Sequence, residues 1–137
     1  MERYATVVWH GPGKDGKGLI STQSAVIKEI PFSFSSRFIS ADGTNPEELM
    51  AAAFAACFIM KLNFLLEATG FRTDTAEVTA FINFERGLIT GLRLLIKAEV
   101  PGIPQQQLHD CVQDAKANCP IGQIMNLNTT AELPLNE

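Results

Sequence analysis

The feature that most limits what this chain can fold into is an unbroken apolar run, Leu49 to Met60, twelve residues rich in Ala. As a helix it rises only about 18 Å against a bilayer core of roughly 30 Å, and Lys61 and Asn63 then interrupt it. It is therefore expected to pack inside protein rather than to span a membrane. The residues before it, Gly43-Thr44-Asn45-Pro46-Glu47-Glu48, carry the marks of a helix start. Asn45 can cap, Pro46 suits the first turn, and Glu48 stands three residues on, as in a capping box, with acidic charge at the positive end of the dipole. Gly70 sits where a left-handed C-terminal cap is expected, which predicts a helix to about Thr69. Its run 49 to 60 is apolar around the whole circumference, yet one sheet covers only one side. A second copy of the chain supplies the missing cover most economically, so a twofold dimer with facing helices is expected.

The rest of the chain reads as one domain, 1–137, of mixed elements. Residues 3 to 9 and 19 to 31 have the pattern of strands, separated by the turn-forming run Gly11 to Gly18, and a Phe/Ser-rich loop, Phe32 to Ser40, follows. Asp74 to Glu85 and Leu88 to Val100 predict two long strands whose short connection makes them antiparallel. Pro101-Gly102 breaks the second. Leu108, Cys111, Val112 and Ala115 then fall on one face of an amphipathic helix, Pro120 starts a short further helix, and a strand is expected near Thr129 to Leu133. The order is β-β-β-α-β-β-α-α-β, an α+β chain.

Composition removes several classes of function. Eleven basic against fifteen acidic residues give a net charge of -4, which argues against nucleic acid and against an anionic membrane surface as partners. The first residues lack the charged and apolar regions of a secretory signal, so a cytoplasmic location is expected. Gly11, Gly16 and Lys17 have phosphate-loop spacing, but Gly18 replaces the Ser or Thr that holds magnesium and a strand follows instead of a helix. His10 and His109 lie far apart and no two cysteines have zinc-site spacing, so no metal is expected.

Three cysteines remain to be explained: Cys57, Cys111 and Cys119. Without an export signal they read as thiols rather than as a disulfide framework. Cys57 lies in the middle of the long helix among Ala, Phe, Ile and Met, where it is either a small core residue or a reactive thiol served by a cation. Cys111 reads as core. Cys119 precedes Pro120 at a helix start, a place where backbone N–H groups stabilise a thiolate. Arg37 stands among Phe32, Phe34 and Phe38, and is either stacked on those rings or set for chemistry. Glu47 is a first-turn helix acid or the partner of a cation, and Lys61 lies one turn beyond Cys57.

The run Gly43 to Leu49 with Ala55-Ala56-Cys57-Phe58 resembles the helix motif of the osmotically inducible protein C family. Trp9-His10-Gly11, Lys17-Gly18 with Ser21-Thr22, Ser36-Arg37-Phe38, Pro101-Gly102-Ile103 and Ala115-Lys116-Ala117-Asn118-Cys119-Pro120 are similar to it in order and spacing. The resemblance implies an intertwined α+β homodimer, its antiparallel sheets wrapped around long central helices, with two active sites at the interface. It implies a thiol-dependent peroxidase for organic hydroperoxides and, less well, hydrogen peroxide. By motif position Cys57 is then the peroxidatic cysteine, Cys119 the resolving cysteine, and Arg37 and Glu47 the polar pair. No resident cofactor is implied, only an external dithiol reductant of lipoyl or thioredoxin type. Arg37 follows the later loop rather than the first Gly-rich turn, which favours the osmotic branch over the organic hydroperoxide resistance branch. Phe54 stands where relatives often carry a polar or ionisable ring, a difference that bears on substrate preference.

The implied chemistry suits the residues. A thiol of ordinary pKa is only about 3% thiolate at neutral pH, so a buried one needs a cation, and Arg37 cannot lose its proton. Phe32, Phe34, Phe38 and Phe58 are expected to line an apolar mouth for organic peroxides. Glu47 and Cys57 are ten residues apart on one helix, about 15 Å by its rise, too far for direct contact within one protomer. The expectation is an active site that uses both chains. A dithiol redox sensor or small-molecule-binding protein without rapid turnover is the alternative from another class.

Overall fold

The computed structural model describes residues 1–125 and 129–134, Thr129 by its backbone alone. The chain forms two compact units, Met1–Leu49 and Met50–Glu137.

In the first unit, β1 (Ala5–His10), β2 (Lys17–Thr22) and β3 (Ile30–Ser33) form an antiparallel sheet in that order. The glycine-rich run between β1 and β2 is a hairpin loop, with His10 opposite Lys17 in the register. It closes on itself: Gly16 N–H donates to Pro12 C=O at 2.7 Å and the Trp9 indole N–H to Gly11 C=O at 2.9 Å. The phosphate-loop spacing of Gly11, Gly16 and Lys17 thus belongs to a strand-to-strand turn.

The run 19 to 31 holds two strands, which completes the three expected before the long helix. β2 stops at Thr22, and a turn returns the chain to β3, with Ala25 N–H on Thr22 C=O, Thr22 N–H on Ile27 C=O, and Ala25 and Glu29 both at positive φ. The Phe32–Ser40 loop also holds more structure than its composition suggests. β3 runs to Ser33, and α1 (Phe34–Phe38) follows as little more than one helical turn, closed by a reciprocal capping box between Ser33 and Ser36. Five residues are too few to show a helical period in sequence.

The long helix, α2 (Pro46–Ala68), starts and stops close to where its signals stand. Asn45 Oδ1 accepts from Glu48 N–H at 2.8 Å. The second half of the expected box is replaced, because the Glu48 carboxylate accepts from the Thr44 hydroxyl at 3.2 Å. At the other end Gly70, at φ +89, closes a Schellman motif: its N–H donates to Glu67 C=O and Phe71 N–H to Leu66 C=O, both at 3.0 Å.

The second unit sets most of α2 against a sheet of β4 (Thr75–Glu85), β5 (Leu88–Glu99) and β6 (Thr129–Glu132). β4 and β5 pair antiparallel through Arg86-Gly87, both at positive φ, as a two-residue hairpin requires. β6 lies parallel to β5, a connection that needs a crossover, here made by α3 (Gln105–Asn118) and α4 (Pro120–Ile124). The core is built from three stripes: Phe54, Phe58, Leu62 and Leu66 of α2, Leu92, Leu94 and Ile96 of β5, and Leu108, Cys111, Val112 and Ala115 of α3. Spacings of four, two, and three or four are the periods of helix, strand and helix. By length and composition alone α2 is apolar enough to cross a membrane, but its large stripe packs in this protein core. Elsewhere on α2, Met60 and Phe64 stay about 60% exposed.

Candidate active site

Two pairs of the residues singled out by sequence come together, one in each unit. In the second unit they are the thiols. Cys57, midway along α2, is half-buried, while Cys119, between α3 and α4, has no exposed surface. Both are free, and the Cys57 sulfur lies within hydrogen-bonding reach of the Cys119 thiol. Local backbone explains the placement of Cys119. Its N–H closes the last turn of α3 on Ala115 C=O at 2.9 Å, and its own C=O accepts from Gln123 N–H at 3.0 Å, so the residue joins two helices.

The position of Cys119 before α4 was expected to favour its thiolate. Backbone N–H groups of Gly122 and Ile121 do act in that direction. Burial acts more strongly the other way, the neighbouring Cys57 adds to it, and the Cys119 thiol is pushed above its ordinary value. The reason is physical: a dipole from one turn of helix is weak, whereas the sulfur is wholly removed from water. Cys119 is accordingly a protonated thiol at neutral pH. Cys111 stays apart as a core residue, with burial again raising its thiol first and Asp114 and Asp110 adding to the effect against a hydrogen bond with Thr69.

In the first unit Arg37 and Glu47 form a forked ion pair. Arg37 Nη2 donates to Oε1 at 2.7 Å, and Nε reaches Oε1 at 3.1 Å and Oε2 at 3.3 Å. Burial of Glu47 tends to raise its pKa, but the Arg37 hydrogen bonds, a backbone hydrogen bond and the Arg37 charge outweigh that and hold the carboxyl below its ordinary value. The guanidinium also lies over the Phe38 ring, 5.0 Å from its centre, so ring stacking and ion pairing coexist. α1 and the cap of α2 set this geometry, because Arg37 ends the one and Glu47 opens the other.

The apolar mouth expected from four phenylalanines is reduced. Phe58 is fully buried in the core, where the α2 stripe puts it. Phe32 lies against Gly18 and 5.3 Å from Trp9, and only Phe34 and Phe38, at 4.7 Å, form a surface pair. Phe54 is also fully buried, and a side chain at Gly122 would come within 2.9 Å of its ring. Sequence reasoning passed over Gly122 and Ile121, whose N–H groups serve Cys119, because a five-residue helix has no readable period. Among the described residues no group of His, Cys, Asp and Glu is arranged to hold a metal ion.

The family profile described as OsmC-like protein matches residues 39–133, a stretch that includes Glu47, Cys57 and Cys119. The chain belongs to the OsmC family. Among curated relatives of this OsmC-family chain, "Peroxiredoxin OsmC" of Escherichia coli is 38% identical over 131 residues, covering 93% of this chain and 92% of the relative. "Organic hydroperoxide resistance protein OhrA" of Bacillus subtilis is 31% identical over 99 residues, 69% of this chain and 68% of the relative. The fold agrees. An OsmC-like protein from Mycoplasma pneumoniae superposes with a TM-score of 0.79 at 12% identity, covering 100% of this chain and 99% of that one. The expected OsmC-like α+β architecture is thus the observed one, with α1 added to the predicted order. It differs in that β6 is parallel to β5 where antiparallel sheets were implied, because the α3–α4 crossover returns the chain in the direction of β5.

Proposed function

We propose that this OsmC-family chain is a thiol-dependent peroxidase for organic hydroperoxides, with Cys57 as the attacking and Cys119 as the resolving sulfur. The observation that carries the reading is the meeting of two free thiols 62 positions apart in sequence, one half-exposed and one buried behind it. An accessible sulfur meets the substrate, and a dry protonated neighbour waits for the product. The relatives named peroxiredoxin and organic hydroperoxide resistance protein support a peroxidase-type role.

The Cys57 thiolate attacks one peroxide oxygen. A sulfur–oxygen bond forms as the O–O bond breaks, two electrons pass from sulfur to the peroxide, and the leaving alkoxide takes up a proton to become an alcohol. The Cys57 sulfenic acid then condenses with the Cys119 thiol, forming the disulfide and releasing water. An external dithiol, of lipoyl or thioredoxin type, returns two electrons and two protons to reset the pair. Arg37, fixed by Glu47, is the cation that favours the attacking thiolate and the departing alkoxide.

The site requires a homodimer in this reading. Met60 and Phe64 on α2 and Val7 and Val8 on β1, 47–62% exposed, leave apolar surface that a second copy would cover. With about 15 Å of helix between Glu47 and Cys57, Arg37 and Glu47 of the partner subunit serve each Cys57. The test is steady-state consumption of cumene hydroperoxide with dithiothreitol as reductant. Turnover that is lost in Cys57→Ser and sharply reduced in Arg37→Ala supports the peroxidase. A single stoichiometric oxidation without turnover contradicts it and indicates a dithiol switch.

A further inference from the structure

Beside Arg37 stands a residue that the proposed reaction leaves without a role. Ser36 Oγ accepts from Ser33 N–H at 2.8 Å and has two carbonyls within reach, Thr44 C=O at 2.9 Å and Ser33 C=O at 3.1 Å. The hydroxyl has one proton, so it donates to one of them at a time, and the Thr44 carbonyl offers the shorter contact. Thr44 and Ser36 belong to the two arms that carry the ion pair: Arg37 follows Ser36 on α1, and Glu47 lies three residues beyond Thr44.

Other bonds close the same loop around this hydroxyl. Thr44 N–H donates to Pro31 C=O at 3.0 Å, and Asn45 Nδ2 reaches Ser36 C=O at 3.4 Å. Gly43, at φ +121, permits the approach, since a Cβ there would stand 2.7 Å from the Pro31 carbonyl oxygen. Apart from the ion pair itself, the Ser36 hydroxyl makes the shorter of the two side-chain links between the arms, 2.9 Å against 3.4 Å for Asn45. It is also joined to the capping box that holds α1 together. The neighbouring carboxylate, Glu48, is occupied by the Thr44 hydroxyl on the other side of the same residue.

We propose that Ser36 is a positioning residue: its hydroxyl ties α1 to the segment entering α2, and so fixes the guanidinium of Arg37 on the carboxylate of Glu47. The part of this inference that concerns turnover rests on the peroxidase reading; the part that concerns the ion pair does not. Removing the hydroxyl takes one donor from Thr44 C=O and one acceptor from Ser33 N–H in a half-buried place, and leaves the arms joined by the backbone bridge between Phe32 and Thr44 and by the Asn45 side chain. The arms then separate by a fraction of an ångström, enough to spoil a fork that needs two aligned N–H groups.

Three proteins decide it: the wild type, Ser36→Ala and Ser36→Thr, the last restoring a hydroxyl. The Glu47 carboxyl is titrated by NMR, and kcat and KM are measured with cumene hydroperoxide and dithiothreitol. In Ser36→Ala the Glu47 titration moves up toward that of an ordinary carboxylate and kcat/KM falls about tenfold, while Ser36→Thr restores both. Glu47 titrating alike in all three proteins overturns the inference, as does a Thr variant that behaves like Ala. A wild type without turnover removes the peroxidase reading, and the Glu47 titration still decides the role of Ser36. If Ser36→Ala does not fold, Ser36→Cys takes its place: a Glu47 titration moved up from the wild-type value is expected, and Glu47 titrating as in the wild type overturns the proposal.

Discussion

Truncating Arg37 and Glu47 to Ala, singly and together, isolates the energy of their interaction from the energy of either side chain. A unit charge pair at about 4 Å interacts by about 4 kcal/mol at the effective dielectric of a protein surface. That figure is an upper bound here, because the Arg37 side chain is 36% exposed and that of Glu47 12%. Fully exposed pairs give about 0.2–1 kcal/mol, and hydrogen bonds to charged groups about 1.5–3 kcal/mol. With three N–H···O approaches between 2.7 and 3.3 Å and only one partner well shielded, the coupling should be about 1–2 kcal/mol. Urea unfolding of the four proteins at one fixed concentration measures it, the fixed concentration removing any contribution from association. Arg37→Lys should recover less than half, since an ammonium cannot reproduce the fork. The pH dependence has a definite sign. The folded carboxyl titrates below its ordinary value, so the coupling is complete above the ordinary carboxylate range, near pH 4.3, and is lost as pH falls through the lower folded value. Additivity of the two truncations within about 0.3 kcal/mol at neutral pH would refute the reasoning.

Four further outcomes follow from the same geometry. Asn45→Ala removes the acceptor for Glu48 N–H at the start of α2 and should cost about 0.5–2 kcal/mol in chemical denaturation, with Asn45→Asp close to the wild type. Gly18→Ala drives a methyl group into the Phe32 ring, and should destabilise by about 1–3 kcal/mol unless Phe32 is trimmed to Leu in the same chain. In alkylation with iodoacetamide at pH 7 the half-exposed Cys57 is labelled before Cys119. Because the folded Cys119 thiol titrates above its ordinary value, the reduced protein loses stability as pH rises past that value, visible as a falling melting temperature between pH 8 and 10.

The sequence disclosed those parts of the fold whose signals repeat or sit next to each other. Asn45, Pro46 and Gly70 bound α2 to within a residue or so, and the Leu108, Cys111, Val112 and Ala115 stripe is buried in full, because a helix face is a local property of spacing. The long hairpin was legible for the same reason. α1 was not, since its five residues are held by Ser33 and Ser36 rather than by an apolar period. The position of the break between β2 and β3 was hidden too, because Ala25 and Glu29 take positive φ without being glycine. For the site, residue types and motif positions pointed to Cys57, Cys119, Arg37 and Glu47, but not to how far each is buried. Cys119 shows the difference: a helix start suggests an easily ionised thiol, whereas the packing of α2, α3 and β5 around it makes the opposite true. Burial is a sum over distant segments, and no single stretch of sequence contains it.

The reaction proposed for this OsmC-family chain is tested most directly by giving the reduced protein one equivalent of an organic hydroperoxide, counting free thiols, and mapping any new bridge by mass spectrometry. The account predicts the loss of two thiols per chain, a single Cys57–Cys119 disulfide within one chain, and Cys111 still free. A bridge that involves Cys111, or a Cys57 that remains a thiol while peroxide is consumed, would contradict it.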